Sequence, residues 1–252
     1  MTAGLRRPAA KKAVATRRPG VRELAAQTTR DSILRAATKV FAKSGFAGGR
    51  VEQISKAAGS YDRMIYYYFG SKEALYIAVL EEMYRRFNEA ESKLVFDAAQ
   101  PLEALRSVIR FMWVYYQKNP EFITLLNTEN LHRGRYIARS PRASEYSSAA
   151  VNVLGEVLAS GVAQGLFRAD VAARDVYLMI AALGYFYLSN RFTLSAFLGE
   201  TLETPAALAH WEAFLIDAVT RTVAVAPASP AMTPAARRSK PGRNTLSPDV
   251  RG

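Results

Sequence analysis

The stretch "VEQISKAAGSYDRMIYYYF", residues 51–69, decides how the rest of the chain is read. Val51, Ile54 and Ala58 recur at helical spacing. Gly59 follows, a residue free to take the left-handed backbone of a helix end. A second short helical run covers Asp62 to Phe69. Two short helices around a glycine turn are a helix-turn-helix arrangement, and the small Ala57 and Ala58 let the helices cross closely. In such a unit the second helix enters the major groove of double-stranded DNA and presents its N-terminal residues to base edges. Here those are Tyr61, Asp62, Arg63 and Met64. Arg63 can donate two bonds to a guanine edge; a solvated position or a pair with Asp62 is the alternative.

Three consecutive tyrosines cannot share one face of a helix, because successive residues point about 100° apart. Ile65 and Phe69 lie four apart and form the core face. Some of Tyr66, Tyr67 and Tyr68 therefore turn outward, where a phenol can bond a phosphate oxygen while its ring packs on the domain. Ordinary packing is the competing reading for each. Lys72 falls in the first turn of the next helix, the end whose dipole disfavours a cation unless an anion approaches. Arg50, at the start of the 51–58 helix, repeats that logic. For both, a flexible solvated cation is the plainer reading.

The charge distribution agrees with a nucleic-acid-binding end. Residues 1–72 carry 15 Lys+Arg against 4 Asp+Glu, residues 73–225 carry 14 against 17, and residues 226–252 carry 5 against 1. Nearly all of the net +12 thus sits in the first third. A solubilising tail explains residues 1–22 but not Arg30, Arg35, Lys39 and Lys43 within helical sequence.

With 252 residues, half of them hydrophobic, the chain can bury a sizeable core. The absence of cysteine excludes disulfides, thiolate catalysis and cysteine-ligated zinc. No apolar run is long enough to span a bilayer, so a soluble cytoplasmic protein without membrane contact is expected. Residues 1–24 and 226–252, rich in Ala, Pro, Lys and Arg, are expected to be a disordered basic arm and a disordered tail. Between them helical periodicity prevails, and the fold class is all-α. Ile33, Ala36, Ala37, Val40 and Phe41 mark one helix, ended by Gly45. Ser71 caps a long helix bearing Leu75, Val79, Met83, Phe87, Ala90 and Leu94 on one side. Further helices are expected over 101–119, 121–131, about 142–164, 173–189 and 205–224.

The runs "ILRAATKVFAKSGF" at 33–46, "VEQISKAAGS" at 51–60 and "IYYYFGSKEALY" at 65–76 resemble the TetR family of transcriptional regulators. The resemblance covers about residues 28–80. It implies a three-helix DNA-binding head at 25–72, a divergent helical effector-binding and dimerisation domain at 73–225, a homodimer, and repression relieved by a small-molecule effector. By the same resemblance Tyr66, Tyr68 and Lys72 match positions that support or contact DNA phosphates. Two departures stand out. Gly49-Arg50 replaces the family's usual threonine, and Ser60-Tyr61-Asp62-Arg63-Met64-Ile65 replaces the usual opening of the recognition helix.

Residues 76–225 contain no catalytic constellation, and the two histidines, His132 and His210, form no metal set; neither enzyme activity, metal nor cofactor is expected. In "TENLHRGRYIARSPR", Asn130, His132 and Arg133 either grip an anion in a pocket or form a solvated turn. Trp113 and Tyr116 are core or pocket wall. The run through Tyr187 is apolar nearly all round and suits burial against a second subunit, together with the 205–224 helix. Asn190 and Arg191 end that run and are expected to close a pocket or cap the interface. The reading is a ligand-responsive dimeric repressor. The alternatives are an activator or architectural protein without effector, and an enzyme acting on a phosphorylated substrate.

Overall fold

In the computed structural model, residues 20–226 are described, except 95, 98, 146 and 147. The first three helices, α1 (Val21–Gly48), α2 (Val51–Ala58) and α3 (Asp62–Phe69), form a head. The long α4 (Lys72–Glu91) runs from it into a body of α5 (Pro101–Lys118), α6 (Pro120–Leu131), α7 (Ser148–Ala163), α8 (Ala173–Leu198) and α9 (Pro205–Val223). Among the described residues the one strand-like pairing is an antiparallel bridge between Phe167 and Ala224, which ties the α7–α8 loop to the end of α9.

Local chemistry sets the boundaries. The Ser71 hydroxyl accepts from the Ala74 amide at 3.0 Å, capping α4, and Thr204 caps α9 through Ala207 at 3.2 Å. Prolines 101, 120 and 205 occupy first turns, where a missing N–H costs nothing. Gly59 ends α2 at φ 61, ψ 36, a conformation that a side chain resists. Gly45 breaks α1 with non-helical angles, so the expected stop is a kink followed by one more turn to Gly48.

Ile33, Ala37, Phe41, Ile54, Ile65 and Leu75 are wholly buried and make the head's core. Burying the isoleucine, leucine and phenylalanine side chains among them contributes about 1.5–3 kcal/mol each. In the body, Leu105, Ile109 and Met112 of α5 pack with Leu154, Leu215 and Val219. A ring cluster joins the two parts. Phe41 and Tyr76 meet edge-on at 5.1 Å, and Tyr136 packs on Phe46 at 4.6 Å and on Tyr76 at 5.1 Å. The backbone amides of Tyr136 and Ile137 donate to the buried Glu129 carboxylate at 2.8 and 2.9 Å, Arg139 pairs with Glu73, and the Ser140 hydroxyl donates to Glu81 at 2.5 Å. The segment after α6 is thus a strap holding the base of α4.

Several sequence expectations change. Residues 21–24, assigned to the arm, are the first turn of α1, where Glu23 suits the helix dipole. The rest of the arm and the tail from 227 lie outside the described residues. The helix expected from about 142 begins at Ser148, after short 3₁₀ turns at 137–139 and 143–145. Leu94 lies beyond the end of α4. Helix α8 continues nine residues past 189, to a left-handed Gly199. Nothing in 190–198 breaks it; the Asn190 amide donates back to the Phe186 carbonyl at 2.9 Å. Nor is α8 buried all round within one chain, since Leu178, Phe186, Phe197 and Leu198 are exposed.

Candidate nucleic-acid interface

Helix α3 is anchored by one residue and presents the others. Ile65 is fully buried, while Tyr61, Tyr66 and Tyr67 are 72%, 52% and 77% exposed. Such exposure of three large rings on one short helix marks a surface that has something to meet. Arg63 is exposed, its guanidinium 5.5 Å from the Tyr61 ring centroid, so it pairs with the ring and not with Asp62. Tyr68 is half-buried and meets Tyr67 edge-on at 5.0 Å. Met64 is half-buried and packs against the head's core.

Asp62 faces inward. Its carboxylate accepts from the Ser55 hydroxyl, bracing α3 against α2. Of the four residues expected to read bases, the exposed pair is Tyr61 and Arg63. Behind the helix, Arg30 of α1 lies 5.1 Å from the centroid of Phe69 and pins the end of α3.

Lys72 and Arg50 flank α3. The Lys72 ammonium lies 4.7 Å from the Phe46 ring centroid and 3.5 Å from the Ala47 carbonyl. Its contacts are with a ring face and a carbonyl, and no carboxylate among the described residues pairs with it beside the α4 N-terminus. Arg50 is exposed, and its backbone amide donates to the Gln53 side chain at 3.3 Å, fixing the start of α2. The glycine before it is required by space. A Cβ on Gly49 would stand 2.6 Å from Cδ1 of the buried Phe41 ring, so no threonine fits there.

The residues expected to hold a ligand divide into two groups. Trp113, Tyr116 and Tyr187 are buried in the body; Trp113 and Tyr187 meet edge-on at 5.6 Å, and Tyr187 stacks on Trp211 at 4.8 Å. The others are elsewhere. Asn130 is exposed in the last turn of α6 and Arg133, at φ 58, in the turn that follows, and the His132 ring bonds the Thr128 carbonyl at 2.8 Å. That segment is the solvated turn, a consequence of the α6 end being tied back to its own carbonyls. Asn190 and Arg191 lie within α8, where Arg191 pairs with Glu203 at 2.8 Å across the α8–α9 turn, away from Trp113.

Sequence reasoning passed over the polar groups inside the body. Glu91 is 1% exposed and neither carboxylate oxygen has a hydrogen-bond partner. Burial pushes its carboxyl up to about 7. Burial likewise raises Tyr84 to about 12, and raises Tyr116 and Tyr177, with the Glu91 charge adding to the last two. A glutamate four residues after Phe87, on the apolar side of α4, is the signal in the sequence that points to it.

Comparison with known proteins accords with this architecture. Residues 33–79 match the family model described as bacterial regulatory proteins, tetR family, and residues 101–219 match the tetracyclin repressor-like C-terminal domain. The HTH-type transcriptional repressor NicS of Pseudomonas putida is 53% identical over 206 residues, covering 82% of this chain and 97% of NicS. The solved structure of SCO4942 from Streptomyces coelicolor superposes with a TM-score of 0.59 at 24% identity, covering 77% of this chain and 98% of that one. A TetR transcription regulator from Haloarcula marismortui gives 0.57 at 19% identity, covering 79% and 99%. Those two likenesses speak for the fold. Among the described residues no helix is long and apolar enough to cross a membrane. The exposed tyrosines and Arg63 therefore stand on the recognition helix of a helix-turn-helix head, and the chain belongs to the TetR family of DNA-binding transcriptional regulators.

Proposed function

We propose that the chain is a dimeric repressor whose α3 helices enter the major groove of an operator, and which a small molecule held in the body releases. The observation that carries the reading is the exposure of Tyr61, Arg63, Tyr66 and Tyr67 around a single buried anchor, Ile65. Arg63 reads bases; Tyr66, Tyr67, Tyr68, Lys72 and Arg50 hold phosphates. Met64 and Asp62 support the helix from behind. The repressor sign is supported by the name of NicS.

The dimer is supported by an uncovered apolar stripe on α8, Leu178, Ala182, Phe186 and Phe197, beside Phe214 on α9. Two heads related by a two-fold axis read half-sites about 34 Å apart. The head takes residues 21–72 and the body 73–225. A basic arm before Val21 adds phosphate attraction that salt screens. A protein acting on a chromosomal operator works in the cytoplasm.

A gel shift with the DNA upstream of the chain's own gene tests the reading. A retarded complex that survives excess unrelated duplex is expected, along with higher reporter expression when the gene is deleted. Lower expression on deletion favours an activator, and no preference over unrelated duplex overturns operator recognition.

A further inference from the structure

Glu91 closes α4 at the end whose dipole disfavours an anion, and it is 1% exposed with both carboxylate oxygens unpartnered. Three elements pack around α4 there. From α5 and α8 the phenols of Tyr116 and Tyr177 lie within electrostatic reach of the Glu91 carboxyl, and neither hydroxyl has a hydrogen-bond partner among the described residues. Helix α7 packs against α4 as well; its Leu154, Val157 and Leu158 are buried, while Glu156 on that helix is exposed. On α4 itself Tyr84 acts on Tyr116. No basic side chain among the described residues offsets the burial of Glu91. A desolvated carboxyl with no counter-charge costs several kcal/mol and persists where a partner completes it. Rings of Phe87 and Phe122 stack against Tyr116 at 6.4 and 5.5 Å, giving the surroundings an aromatic lining.

We propose that Glu91, with the Tyr116 and Tyr177 hydroxyls, is the polar anchor of the effector site, and that the effector class is a small nitrogen base on an aromatic frame: an amine, an amidine or a protonated heterocycle. This rests on the body being the effector domain. The cation supplies the counter-charge that the fold withholds, its N–H groups donate to the two free carboxylate oxygens, and the phenols take the remaining polar contacts. Because the carboxyl titrates near neutrality in the empty protein, binding displaces its proton, and affinity rises with pH up to that range.

The test is calorimetric titration of the full-length protein with three matched probes: benzamidine, benzyl alcohol and benzoate. Benzamidine is expected to bind best, to gain roughly fivefold in affinity from pH 6 to 7, and to lose about tenfold or more in Glu91→Gln together with that pH dependence. Tyr177→Phe, which keeps the ring, is expected to lose several-fold and serves if Glu91→Gln does not fold by thermal melt. Preference for benzoate, equal benzamidine affinity in the variants, or no heat from benzamidine at millimolar concentration overturns the assignment. The same wild-type sample is run on the upstream DNA. Operator preference with a failed benzamidine arm removes only the nitrogen-base reading, whereas loss of operator preference removes the repressor reading itself.

Discussion

Lys72 and Arg63 are held differently, and the difference separates the roles proposed for them. Lys72 is seated over Phe46 beside the first amides of α4, a place for a phosphate. Lys72→Ala is expected to weaken specific and unrelated duplexes alike and to lower the salt slope of binding by about one. Arg63, propped on the Tyr61 ring at the outer start of α3, is expected when changed to Ala to cost about 1–3 kcal/mol at one operator position and relax preference there. Fluorescence anisotropy across a salt series with operator and scrambled duplexes separates the two. If the Lys72 variant loses only operator binding, the phosphate role is wrong. Glu91 gives a third residue-scale test, on stability. Its carboxyl, near 7 in the folded protein against an ordinary 4.5, holds a proton more tightly when folded. Its stabilising contribution is therefore full below the ordinary value and is lost as pH rises through about 7. The Tm of Glu91→Gln minus that of the native protein should grow by several degrees from pH 4 to pH 8, as read by circular dichroism. A flat difference would mean that Glu91 is solvated.

At the scale of elements, the turn between α1 and α2 is the tightest place in the head. The Phe41 ring is fully buried, stacked on Phe46 at 6.3 Å and edge-on to Tyr76 at 5.1 Å, so it has no room to move from a new methyl at Gly49. Gly49→Ala is expected to cost about 1–3 kcal/mol through overpacking, seen as a lower urea midpoint at unchanged m-value. An unchanged midpoint would show that α2 can slide. The same region shows why some elements were legible in the sequence. Helices α2 and α3 fall where they were expected, because Gly59 and Gly70 interrupt them and the apolar spacing is short and regular. The departure at Gly49 also has its cause in space, which a sequence alone does not display. The end of α8 is not legible in the sequence because polar Asn190 and Arg191 resemble a stop, yet each bonds backward along its own helix, to Phe186 and Leu188. The strap from 132 to 140 stands out in the sequence for its cations, whereas its work is done by a buried acid, Glu129, and a ring, Tyr136. Glu91 was hidden for a related reason. Periodicity assigns a residue to a face, but whether a polar group on that face finds a partner depends on helices far away in sequence, here α5 and α8.

For the whole molecule, the question is how an event inside the body reaches a groove-reading helix. The described contacts offer a physical route. Helix α4 carries Glu91 at its inner end and Lys72 at its outer end, and the strap grips its base through Glu73, Tyr76 and Glu81. Filling the Glu91 site shifts operator affinity only if it favours one placement of α4 over another, and a coupling of about 1–3 kcal/mol suffices for a several-fold to hundred-fold change. That coupling has an effect on the operator only if two heads are held at fixed spacing, which makes the α8–α9 face decisive. Phe186 is 56% exposed and Phe214 49% exposed, on neighbouring helices. A charge in the middle of this face would be desolvated by a second copy. Phe186→Glu is therefore expected to sediment as a monomer at micromolar concentration and to lose about 100-fold or more in operator affinity, since the second half-site no longer adds its avidity. Its affinity for short single half-site duplexes should be unchanged, because α3 and its supports lie in the head. A variant that remains dimeric, or a monomer with full operator affinity, would place the two-fold contact elsewhere on the body.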